Sequence, residues 1–109
     1  MTYADYARAL SAAAASSPLA EWRVVLKFYA VVHATNSRLY AEGRAPLTHT
    51  QHEQTLMGDA TLHTFLPEYL ELKQLSLDAR YRPQSHPMTQ AQLERADRLA
   101  QVLLTACGI

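Results

Sequence analysis

Between Asp78 and His86 the chain reads Asp-Ala-Arg-Tyr-Arg-Pro-Gln-Ser-His, which gathers two guanidinium groups, an aromatic ring and an imidazole in one short segment. An arginine holds a phosphate through two parallel hydrogen bonds, and a histidine moves protons on a neighbouring ribose hydroxyl. Metal-free RNA cleavage needs both: a base for the 2′-hydroxyl and a cation for the charge developing on phosphorus. Arg80 and His86 are the candidate pair, with Tyr81 and Arg82 beside them to hold substrate. The plain alternative is that Arg80 neutralises a helix C-terminus and pairs with Asp78 while Tyr81 packs. Arg44 and His49 form a second pair, separated by Pro46 and by a helix start at Thr48.

The other histidines offer less. His49, His52 and Glu53 fall within about a turn and a half of helix, and His49 and His52 at i, i+3 could share a face. Two such histidines bind a metal when a third ligand arrives, here His63 or His86. The sequence lacks His-Glu-x-x-His, and the preferred reading is solvated polar residues on a short helix, with no metal and no cofactor. His33 and Asn36 lie on an apolar face, where polar groups must be paired. They are either satisfied structural residues or a polar patch lining a pocket or a dimer seam, and so are candidate substrate contacts. Cys107 reads as packing, since no basic residue stands beside it in sequence.

Composition narrows the field. The 109 residues carry ten Lys/Arg against ten Asp/Glu, five histidines and one cysteine, and 49% of them are hydrophobic. A chain of this length buries on the order of 65% of its unfolded surface, which excludes a disordered tail. Three glycines and five prolines argue against a turn-rich barrel or sandwich and supply no phosphate-cradling loop or dinucleotide fingerprint. Zero net charge excludes wrapping of nucleic acid by bulk electrostatics, though a local cluster of arginines remains compatible with it. A single cysteine excludes a disulfide framework and fits a reducing cytoplasm. No apolar run approaches the ~20 residues of a membrane span, and Met1 to Leu10 lack the basic-then-apolar order of a signal peptide.

The elements that must position these groups are helices. Thr2 caps a first helix with Tyr3, Ala7, Leu10 and Ala14 on one face, which Ser16, Ser17 and Pro18 stop. Ser17 is then expected to cap the second helix, with Pro18 in its first position. That helix, the longest, repeats Leu19, Trp22, Val25, Leu26, Tyr29, Val32, His33, Asn36 and Leu39 at helical spacing, and this stripe is its expected core face. Val24, Phe28 and Val31 make it apolar beyond the stripe, so it is expected to be central. Gly43 closes it. Thr48 and Gln51 open a short helix from about His49 to Met57, interrupted by Gly58 and Asp59. A fourth helix carries Leu62 to Ala79, with Pro67 marking a kink or restart, and Pro83 and Pro87 bracket the next loop. Thr89 with Gln92 opens the last helix, buried through Leu93, Ala96, Ala100, Leu103 and Cys107, with a Glu94–Arg98 pair outside. No strand alternation and no internal repeat occurs. The expected fold is all-α, a single domain over residues 1–109, built as an up-and-down bundle of four to five helices around the long second one.

Taken together, Trp22 to His33 (WRVVLKFYAVVH), Ala41-Glu42-Gly43, Thr48-His49, Tyr69-Leu70-Glu71-Leu72 and Ser76 to Tyr81 (SLDARY) resemble the HEPN family, the higher eukaryotes and prokaryotes nucleotide-binding domains. The likeness extends over residues 18–107. It implies a cytoplasmic helical bundle that forms homodimers in prokaryotic defence and toxin–antitoxin systems. Many members are metal-independent ribonucleases that use an arginine followed within about half a dozen residues by a histidine, brought together from both subunits at the dimer cleft. Arg80 and His86, with five residues between them, match that count. Members whose helix ends in Arg-Tyr resemble non-catalytic accessory subunits, paired with a nucleotidyltransferase or toxin, and that co-encoded partner is the alternative implied.

Overall fold

The structure, a computed structural model, describes residues 2–43, 48–81 and 87–109. Within them the chain forms five α-helices: α1 (Tyr3–Ser16), α2 (Ala20–Ala41), α3 (His49–Met57), α4 (Leu66–Tyr81) and α5 (Gln90–Ala106), with a 3₁₀ turn over Leu62–Phe65 leading into α4. No strand occurs among the described residues. The all-α bundle expected from the spacing is the fold found.

Local chemistry accounts for most of the boundaries. Thr2 caps α1 by accepting from the Asp5 N–H, and the Asp5 carboxylate accepts from the Thr2 N–H in return. Thr89 and Gln92 make the same reciprocal pair at α5. At α3 the Thr48 hydroxyl accepts from the Gln51 N–H. Gly43 follows α2 with φ +77°, the left-handed conformation that closes a helix and that glycine adopts without penalty.

One boundary differs from expectation. Ser17 does not cap α2. It closes α1, donating its N–H to the Ala14 carbonyl, and its extended backbone is what a residue before proline requires. The second helix begins two residues beyond Pro18, after Leu19, and has no side-chain cap. Arg23 ties the junction by donating from Nε to the Ser17 carbonyl at 2.8 Å.

The long helix α2 packs against α1, α4 and α5. Its contact with α1 is the most extensive in the fold, and the fully buried Ala7, Ala14, Ala30 and Ala34 keep that hairpin free of bulk. The main core gathers Val24, Phe28, Val31 and Leu39 of α2 with Tyr69 and Leu72 of α4 and Leu99 and Leu103 of α5. The expected stripe is buried only in part: Val25 and Leu39 lie in the core and Tyr29 and Val32 pack against it, whereas Trp22 is 53% exposed and Leu19 56%. α1, α4 and α5 cover α2 on three sides, and on the remaining side only Leu19, Trp22 and Tyr40 stand well exposed while Tyr29, His33 and Asn36 are partly buried. On α5 the expected Glu94–Arg98 pair is absent, and Glu94 accepts from Gln90 instead. No described helix is long and apolar enough to cross a membrane.

Candidate functional site

Arg80 occupies the last turn of α4, where the helix dipole favours a cation. Its Nη2 donates to the Tyr29 hydroxyl at 2.6 Å, and its guanidinium lies 5.4 Å from the Tyr29 ring centre and 5.9 Å from that of Tyr81. Hydrogen bonding to Tyr29, then to Tyr81, holds its pKa above the usual arginine value. Among the described residues it has no ion-pair partner. Asp78, the expected counter-ion, instead accepts from Gln74 Nε2 at 2.9 Å. Arg80 therefore presents a charge steadied by the Tyr29 hydroxyl and open to solvent. A small cavity of about 90 Å³ opens beside it, lined by Trp22, Val25 and Ala79 together with the carboxylate-bearing Glu21.

Tyr81 is 73% exposed. A guanidinium between two phenol rings, with an exposed indole nearby, offers a phosphate ligand and flat faces on which a base can stack. Arg82 and His86 lie outside the described residues, as do Arg44, Pro46 and Pro83. Of the expected catalytic pair, Arg80 alone is placed.

His33 faces α1. The His33 ring stacks on Tyr3 and Tyr6, with ring centres 6.0 and 5.4 Å away, and Tyr3 meets Tyr40 edge-on at 5.8 Å. Burial lowers the His33 pKa, so the ring stacks as neutral imidazole at neutral pH. The pairing expected of these polar groups is not made: His33 Nδ1 and Asn36 Oδ1 are both buried without a hydrogen-bond partner. Tyr3, Tyr6, Tyr40 and Ser37 line an open groove of about 590 Å³ at this end of the hairpin. The residues that sequence reasoning missed are the tyrosines. Their signal was available, because Trp22, Tyr29 and Tyr40 recur at helical spacing on one helix.

His49, His52 and Glu53 are drawn apart by burial. His52 is 3% exposed and its Nε2 lies 2.7 Å from the Thr35 hydroxyl, with its ring stacked on Tyr69 at 5.5 Å. Burial first, and His49 second, lower its pKa to about 4 against the opposing pull of Glu53. The nearby Glu53 pairs with Lys73. His49 stays exposed, stacked at 6.5 Å on Phe28. His63 Nδ1 lies 2.8 Å from the Asp59 carbonyl. Among the described residues no three histidines, cysteines or carboxylates converge on a point where a metal could sit. Burial also pushes the Cys107 thiol up to about 11, leaving it protonated at neutral pH. Neither a family model, nor a curated protein, nor a solved structure matches the chain.

Proposed function

We propose that this chain is an HEPN-like protein that binds RNA or a nucleotide through Arg80, working as a homodimer in the defence or toxin–antitoxin setting that the resemblance implies. The observation that carries the reading is the state of Arg80: exposed, without an acidic partner among the described residues, and flanked by aromatic rings. A phosphate oxygen meets there a guanidinium whose charge is not already neutralised.

In the ribonuclease form of the proposal, His86 takes the proton of a ribose 2′-hydroxyl as that oxygen attacks phosphorus. Arg80 offsets the charge on the phosphoryl oxygens, and the 5′-oxygen leaves with a proton from solvent. The decisive experiment incubates labelled single-stranded RNA with the protein in excess chelator. Cleavage that is lost in both Arg80→Ala and His86→Ala supports catalysis by this pair. Cleavage that persists in both variants removes the assignment.

A second reading, a non-catalytic accessory subunit, is favoured by Leu70 and Leu77. They stand two turns apart on α4 and expose 42% and 37% of their surface. RNA-independent assembly with a co-encoded protein, lost in Leu70→Ser/Leu77→Ser and without cleavage, supports it.

A further inference from the structure

The first helix lies outside the core that holds the other helices together. None of its residues belongs to the main cluster, nor to the partly buried side chains packed around it. Among the described residues α2 is the one helix that α1 packs against to any extent, and Ala7 and Ala14 are its buried side chains. Alanines let the two backbones approach closely, but a methyl group removes little apolar surface from water. Ser11 shares that face, and its hydroxyl is buried with no partner, as is Nδ1 of His33 across the seam. Such unpaired groups weaken the contact that buries them. Side-chain hydrogen bonds and ion pairs of α1 stay within the helix and its cap: Thr2 with Asp5, Arg8 with Asp5, and Ser16 with the carbonyls of Ala12 and Ala13. What steadies the seam is the stacking of Tyr3 and Tyr6 on His33, and those two rings remain 38% and 46% exposed.

We propose that α1 is a detachable strap, which docks on α2 as a cooperative unit of its own and leaves it while the other helices stay folded. The linker permits this. Ser17 and Leu19, on either side of Pro18, both have extended backbones, and the bond from Arg23 to the Ser17 carbonyl ends on the linker, beyond α1. A helix of 14 residues is marginal in water without a partner, so leaving α2 and losing helical structure are one event. Undocking uncovers Ala30 and Ala34, both fully buried in the hairpin, together with His33 and with Ser37 of the tyrosine groove. These four recur at helical spacing on one face of α2. The contact between Arg80 and Tyr29 joins α4 to α2 and does not involve the strap, so the device operates whether or not Arg80 binds RNA. Segments with little buried apolar surface open at lower free energy than the core, and α1 is the helix here with that character.

The test is amide hydrogen exchange of the whole chain, followed residue by residue by NMR at low, sub-denaturing urea. The expected result is that the amides of Ala7 to Ala14 are protected, but on the order of 100-fold less than the slowest amides of α2, α4 and α5, and that their exchange responds more weakly to urea. Tyr6→Ala, which removes a ring stacked on His33, lowers protection in α1 by about tenfold and leaves Leu99 and Leu103 of α5 unchanged. Ser11→Ala, which deletes the unpaired hydroxyl, raises protection in α1 several-fold and again leaves α5 unchanged. Amides of α1 and α5 that exchange at one common rate, and that shift together in both variants, overturn the proposal, because α1 is then part of the global folding unit. No protection anywhere in α1 of the wild type overturns it as well, since the strap would have no docked state to leave.

Discussion

His52 and Arg80 each reach a hydroxyl on α2, Thr35 at 2.7 Å for one and Tyr29 at 2.6 Å for the other, and each lies against a tyrosine ring. What separates them is water. His52 is enclosed by α2, α3 and α4, and desolvation drives its ring to the neutral form. Arg80 stands at the solvent end of α4 and keeps its charge. The same residue chemistry, a basic side chain with an aromatic and a hydroxyl, becomes architecture in one place and an exposed charge in the other. Helix spacing does not separate the two cases, but the number of neighbours around each stretch of α2 does.

The largest expected effect breaks the buried member. Tyr69 fills the space between His52 and Phe28 at 1% exposure. Tyr69→Ala should cost about 3–5 kcal/mol of stability in urea denaturation, because the aromatic contacts are lost and a cavity remains. A cost below about 1 kcal/mol would mean that this cluster is not the core.

Next comes acid. His52 binds a proton at about 6.5 when unfolded but only near pH 4 when folded. The unfolded state therefore holds the extra proton in that window, and stability falls as pH drops through it. The contribution is complete above pH 6.5, declines toward pH 4 by on the order of 3 kcal/mol, and changes no further below. His49, Glu53 and Tyr69 are the titratable groups around it. Parallel denaturation of the wild type and His52→Gln, which retains a polar side chain without the titration, isolates this slope from that of the surface carboxylates. Equal slopes in the two proteins would remove His52 as the source.

The exposed member should respond in the opposite way. Arg80→Ala is expected to leave stability within about 0.5 kcal/mol while lowering affinity for single-stranded RNA by about tenfold. Loss of stability together with affinity would make Arg80 a structural residue.

These contrasts show how much the sequence could reveal. Capping pairs at Thr2, Thr48 and Thr89 and the αL glycine at Gly43 are local signals, settled by atoms three or four residues away, and they locate four helix boundaries. Facing is not local. The spacing places Leu19, Trp22, Val25 and Leu39 on one stripe, yet it is the packing of α1, α4 and α5 that buries Val25 and Leu39 and leaves Leu19 and Trp22 exposed. The core of α2 combines Val25 and Leu39 of the stripe with Val24, Phe28 and Val31, apolar beyond it. His52 shows the limit from the other side. Nothing in its neighbours along the chain announces burial against Thr35, because that contact is made across seventeen residues of sequence. His86, the other half of the expected pair, lies outside the described residues.

The smallest predicted effect is the sharpest, because its sign is at stake. The Tyr69 hydroxyl is buried and has no hydrogen-bond partner, although its ring is fully packed. Desolvation pushes its pKa upward, with Glu53 adding to the rise, so the group remains a neutral phenol that neither ionises nor bonds. An orphaned buried hydroxyl forfeits its hydrogen bonds to water without replacing them. Tyr69→Phe keeps the ring contacts with Phe28 and His52 and deletes only that liability. It should therefore be neutral or stabilising, by up to about 1 kcal/mol, in the same urea denaturation that registers Tyr69→Ala as a large loss. A loss of about 1 kcal/mol on Tyr69→Phe would show that the hydroxyl has a partner in solution, and the buried cluster would then be a polar network and not simply a packed stack of rings around a neutral histidine.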